Sequence, residues 1–107
     1  MKKIVGKWKI TEMEQWDLDF IDAEGPGHFE FYEDNQGLFI FGYVEGDLRF
    51  KKSRSTNLRI EYTWSGNDEM DEVDGHGWFE LINPNELYGM LYFNQGDESW
   101  VKAKRMK

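Results

Sequence analysis

Along most of this chain apolar and polar residues alternate one for one. A period of two describes a half-buried β-strand, and it recurs here in segment after segment. From Ile4 to Thr11, the residues Ile4, Gly6, Trp8 and Ile10 fall on one face, with Lys7 and Lys9 on the other. From His28 to Glu33, Phe29 and Phe31 oppose His28 and Glu30. Leu48 and Phe50 alternate with Arg49 and Lys51 between Asp47 and Ser53. Leu58, Ile60, Tyr62 and Trp64 alternate with Arg59, Glu61 and Thr63 between Leu58 and Ser65. Gly37 to Val44 is apolar on both faces and must be covered on both. Gly77 to Ile82, Glu86 to Phe93 and Glu98 to Arg105 complete a set of eight predicted strands.

Asp34-Asn35-Gln36-Gly37, Glu45-Gly46-Asp47 and Asn83-Pro84-Asn85 read as hairpin turns. Two connections are longer, Glu12 to Gly27 and Gly66 to Gly75. The first holds either a short helix or an irregular loop. Met13, Trp16, Phe20 and Ile21 form one helical stripe, and Thr11 and Glu14 have capping-box spacing. Short strands joined mostly by tight turns predict one all-β domain over residues 1–107, an antiparallel up-and-down eight-stranded barrel. Closure removes the exposed edges that invite aggregation. A two-sheet sandwich is the alternative, because strand order is not written in the pattern.

Aromatics make up 17% of the 107 residues, with five Trp, enough large apolar surface to close a core in so short a chain. For eight strands, filling the interior is the better expectation than enclosing a ligand. The chain has no Cys, which excludes disulfides, thiolate metal sites and Cys nucleophiles. Lys2 and Lys3 are followed by no apolar run, and no stretch reaches membrane-spanning length. A cytoplasmic protein is expected. Its net charge of −8 weighs against nucleic acid and membrane partners and permits cations and basic protein surfaces.

Gly6-Lys7-Trp8 on the first strand resembles the G-x-W of the calycin group of barrels, lipocalins and avidins among them. The resemblance implies a Trp that closes one end of the barrel, with an Arg of the last strand packed across it. Arg105 is in phase with the inward Val101 and Ala103, so Trp8 and Arg105 are the expected barrel-closing pair. Longer strings, Trp64-Ser65-Gly66-Asn67-Asp68-Glu69-Met70-Asp71 and Gly75-His76-Gly77-Trp78 among them, look like a family of small bacterial proteins of about this length and of uncharacterised activity. That resemblance implies a bacterial source and no chemistry.

The charge is sorted along the chain. Between Ile10 and Leu48 there are eleven acids and no Lys or Arg, and between Ile60 and Val101 ten acids and again no Lys or Arg. In an up-and-down barrel alternate connections share an end. The first, third, fifth and seventh connections gather fifteen carboxylates, including Glu45, Asp47, Asp97 and Glu98, with no basic residue among them. Either this acidic end attracts a cation, or its loops are acidic because they are solvated. The candidate ligand-binding residues are Trp16, Asp17, Asp19, Asp22, Trp64, Asp68, Glu69 and Asp71. A hard cation such as Ca²⁺ is the sharpest chemical option, with Asp68, Asp71 and Asp74 as candidate ligands, although the spacing is not that of an EF-hand. His28 and His76 make a poor transition-metal set. Ser53, Ser55, Ser65 and Ser99 show no nucleophile context, and no phosphate loop or zinc motif appears.

The expected function is therefore a non-enzymatic binding module whose acidic, aromatic-containing end takes a cationic ligand or a basic protein surface. A hydrolase using two of the same carboxylates is one alternative. A structural or oligomeric protein with no ligand, a homodimer included, is the other.

Overall fold

The computed structural model describes residues 2–54 and 58–106; Ser55 and Lys107 lie outside the described residues. Eight antiparallel strands close into one up-and-down barrel, each paired with its neighbours in sequence. They are β1 (Gly6–Met13), β2 (His28–Phe31), β3 (Gln36–Phe41), β4 (Val44–Lys52), β5 (Arg59–Asp68), β6 (Asp71–Asn83), β7 (Glu86–Phe93) and β8 (Glu98–Arg105). Closure comes from β1 against β8, where Trp8 faces Arg105 and Lys9 faces Lys104, with a bulge between Ile10 and Glu12. A 3-10 turn (Lys2–Ile4) precedes β1, and a four-residue helix α1 (Leu18–Ile21) lies between β1 and β2. No helix among the described residues is long and apolar enough to cross a membrane.

The barrel is filled. Phe29 of β2 meets Phe79 of β6, four strands away around the wall, with ring centroids 4.8 Å apart. Phe29 also stacks on Phe39 at 4.9 Å, and Trp64 meets Phe39 edge-on at 5.0 Å. Rings this large fit because glycines stand beside them on the inward face, a small-beside-large packing suited to narrow barrels. Tyr62 and Trp64 of β5 lie across Gly77 and Gly75 of β6 and donate to carbonyls of β7. The Tyr62 hydroxyl reaches the Met90 oxygen at 2.9 Å, and Trp64 Nε1 reaches the Tyr92 oxygen at 3.2 Å. A Cβ at Gly75 would stand 2.8 Å from Trp64 Nε1 and collide with the Tyr92 backbone. Burial pushes the Tyr62 hydroxyl pKa well above its ordinary value.

Three expectations need correction. The turn between β3 and β4 is Gly42-Tyr43, with Gly42 in the left-handed region (φ +56°), and Glu45-Gly46-Asp47 belong to β4. The supposed loop from Gly66 to Gly75 is a continuation of the β5–β6 ladder, which pairs Gly66 with Val73 and Asp68 with Asp71 around a turn at Glu69-Met70. Glycine at inward positions 66 and 75 erased the apolar half of the alternation there. Finally, Met13 lies in β1 and Trp16 outside any helix. The helix starts after Asp17, whose carboxylate accepts from the Phe20 N–H at 3.0 Å, so Thr11 and Glu14 cap nothing.

Candidate functional site

At one end of the barrel the N-terminal residues lie against the last strand. Arg105 lies over Trp8, its guanidinium carbon 4.2 Å from the ring centroid. Its Nη1 donates to the Val5 carbonyl at 3.0 Å, its Nη2 to Lys3 at 2.6 Å and its Nε to Pro84 at 3.1 Å. Trp8 Nε1 donates to the Ile4 carbonyl at 2.8 Å. One fixed cation thus ties the last strand to the first residues of the chain.

The opposite end, the predicted binding mouth, is plugged. Trp16 sits half-buried above the core, 5.0 Å from Phe41 and 6.0 Å from Phe93, and stacks on Phe20 at 6.3 Å. Phe20 lies over Gly42, and the Gly42 N–H donates to the Ile21 carbonyl at 2.9 Å, fastening this lid to the β3–β4 turn. Asp22 accepts from Lys9 Nζ at 2.8 Å and from the Gly27 N–H at 2.9 Å. The Lys9 hydrogen bond, helped by Gly27, holds the Asp22 carboxyl below its ordinary pKa. Trp16, Asp17 and Asp22 therefore build the lid. Trp64 is only 3% exposed and belongs to the core, a correction to its placement among ligand contacts. Asp19 stays exposed on α1.

The remaining candidates are divided by parity. Asp68 and Asp71 face each other in register on the inward phase of the β5–β6 hairpin tip, with Glu69 in the turn at φ +57°. Asp74 is three residues from Asp71 and so points to the opposite face. That parity keeps the three from converging on one cation. Among the described residues no three His, Cys, Asp or Glu come together as a metal-holding group.

On the outer wall, however, the register assembles a surface that spacing along the chain does not reveal. Asp47, Ser65 and Asp74 form one row across β4, β5 and β6, and Glu45, Asn67 and Glu72 form the next. Leu38 and Ile40 of β3 continue these rows, each half-buried. A shallow open groove runs between Leu38, Ile40, Glu45, Asp47 and Asn67 over the glycine pair Gly46–Gly66. The three ion pairs among the described residues are Lys9–Asp22, Arg59–Glu80 and Lys102–Glu12, and none involves these wall carboxylates. No family model, curated protein or solved structure matches the chain.

Proposed function

We propose that the protein is a non-enzymatic binding module that takes a basic protein surface, or a smaller polycation, on the acidic outer wall of β4–β6. One observation carries the reading: Glu45, Asp47, Glu72 and Asp74 share a face, two rows deep, without a cation of their own. Four like charges held by a rigid ladder repel one another, and an incoming cation relieves that repulsion. The half-buried Leu38 and Ile40 beside them suit the aliphatic stems of Lys and Arg, which bury their methylenes and leave the charge at the rim. A filled interior and a lid packed with aromatic rings direct a ligand to the wall and away from the barrel axis. The setting we favour is the cytoplasm, on the absence of Cys in so small a chain.

The test is calorimetric titration with a short oligolysine peptide at fixed ionic strength. Changing Glu45, Asp47, Glu72 and Asp74 together to their amides is expected to weaken binding about tenfold or more, since rim charges act mainly through screened attraction. Changing Asp19 and Glu24 on the lid is expected to leave it within about twofold. Equal losses in both variants would reduce the effect to net charge and overturn the site.

A further inference from the structure

The same outer wall changes character one row further on. Along β4 the outward residues run Glu45, Asp47, Arg49, Lys51, so acid gives way to base within a single strand. Arg49 and Lys51 are exposed and take part in none of the ion pairs among the described residues. In register, Arg49 lies beside Thr63, Thr63 beside His76, and His76 beside Tyr92. His76 stacks on Tyr92, centroids 4.6 Å apart and planes 14° from parallel. On its other side the neighbour in register is Thr63, a short side chain. A groove opens there, lined by Arg49, Lys51, Glu61, Thr63, His76 and Trp78. Trp78 is braced by Arg59, whose guanidinium lies 3.9 Å from the ring centroid while it pairs with Glu80 at 3.4 Å.

We infer that this groove is a second binding site, and that its ligand is a small planar anion: an aromatic or heteroaromatic ring bearing a phosphate or carboxylate. The span from β4 to β6 is two strand spacings, about 10 Å. It holds one ring over Thr63, against the side of His76 away from Tyr92, with the anionic group on Arg49 and Lys51. A guanidinium and an ammonium side by side form charge-assisted hydrogen bonds to such a group. Glu61 supplies an acceptor for a hydroxyl or amino group on the same ligand. A polyanion is disfavoured because the carboxylate rows next to the groove repel its remaining charges. This site is independent of the acidic-wall reading, since it uses different residues and the opposite charge.

The test uses two probes of this chemistry, adenosine monophosphate and indole-3-acetate, with adenosine and indole as neutral counterparts. Amide and indole N–H signals are followed by NMR on the full chain, with Trp78 assigned through W78F. Either anion is expected to shift Trp78, Thr63 and His76 with half-saturation at or below about 1 mM. The indoles of Trp8 and Trp64, which donate to interior carbonyls, are expected to stay in place. The neutral counterpart and the R49Q/K51Q variant are each expected to bind about tenfold more weakly. Both substituted residues are exposed, so unchanged Trp8 and Trp64 signals verify that the variant folds. Neutral and charged probes binding alike, an unaffected R49Q/K51Q variant, or no shift with either anion would overturn the proposal.

Discussion

Two stretches of this chain carry the same sign of charge and have opposite structures. Residues 12–27 and 66–75 are both dense in Asp and Glu, lack Lys and Arg, and contain glycine. The first leaves the ladder after Met13 and becomes a lid; the second stays in it and closes the β5–β6 hairpin, paired with β4 as far as Val44 and Asp68. The difference lies in the large apolar residues. Ile21 is out of phase with Trp16 and Phe20, so a strand would leave part of the set in water. Packed over Phe41, Phe93 and Gly42, they are removed from it instead. In 66–75 the one large apolar residue besides exposed Met70 is Val73. With no comparable burial to gain by leaving, the backbone keeps its ladder hydrogen bonds. The acids consequently do different work: in the lid Asp17 and Asp22 satisfy backbone N–H groups, and in the hairpin the acids line its faces.

The sharpest way to break this comparison is to remove the aromatic that defines the lid. Trp16→Ala is expected to cost about 2–3 kcal/mol, below the roughly 3–5 kcal/mol of a fully buried ring because Trp16 is half-buried. Met70→Ala, at the 96% exposed tip of the hairpin, is expected to stay within about 0.5 kcal/mol. Chemical denaturation measures both. Equal costs would mean that the lid is no more integral than the tip.

Next in size is Gly75→Ala, which tests whether 66–75 is ladder or loop. A methyl group there meets Trp64 and the backbone of β7, and overpacking of this kind costs about 1–3 kcal/mol. In a solvated loop the same change would be neutral or slightly stabilising. A midpoint unchanged on thermal unfolding would return the segment to a loop and dissolve the carboxylate rows of the wall.

This glycine also shows why part of the molecule was legible in the sequence and part was not. The strands Glu86–Phe93 and Glu98–Arg105 follow from period-two patterning with apolar residues at the inward positions, the up-and-down barrel from that patterning together with the tight turns, and the contact of Trp8 with Arg105 is the one the G-x-W resemblance implies. Where the inward position is Gly46, Gly66 or Gly75, the backbone is still a strand but the hydropathy signal is absent. Asp68, Asp71 and Asp74 therefore looked like one loop cluster, when a shift in parity puts Asp74 on the other face. The rows Asp47–Ser65–Asp74 and Arg49–Thr63–His76 cross three strands. They exist only once the register is fixed, and register is a property of pairing that no single segment states. For Trp64 the alternation puts the side chain on the apolar face, where the structure has it, and only its chain position beside the acids made it a ligand contact.

A smaller effect separates the two sets of acids by role. Asp17→Ala removes the cap of α1 and is expected to cost about 1 kcal/mol. Asp71→Asn relieves a like-charge pair with Asp68 directly opposite and is expected to leave stability unchanged or slightly raised. The order reverses if Asp71 has a structural partner and Asp17 does not, and denaturation of the two variants side by side reads this directly.

The smallest expected effect is electrostatic and confined to acid. In the folded lid, Lys9 and the Gly27 N–H hold the Asp22 carboxyl below the pKa it has in the unfolded chain. A group depressed in this way contributes stability that is fully present above its unfolded pKa, about 4, and is lost as the pH falls through the lower folded value. The side chains of Lys9 and Asp22 are 28% and 38% exposed, so solvent screens the pair and its contribution is a fraction of a kcal/mol. D22N keeps an oxygen acceptor for Gly27 but has no charge for Lys9. Its stability is therefore expected to fall slightly short of the parent at pH 7, with the gap closing as the pH drops below about 4. Added salt at neutral pH is expected to narrow the same gap, because it screens the same attraction. Curves that run parallel from neutral pH into acid would show that Asp22 holds the lid through its backbone hydrogen bond alone. The lid's acids and the hairpin's acids would then differ in geometry and not in charge.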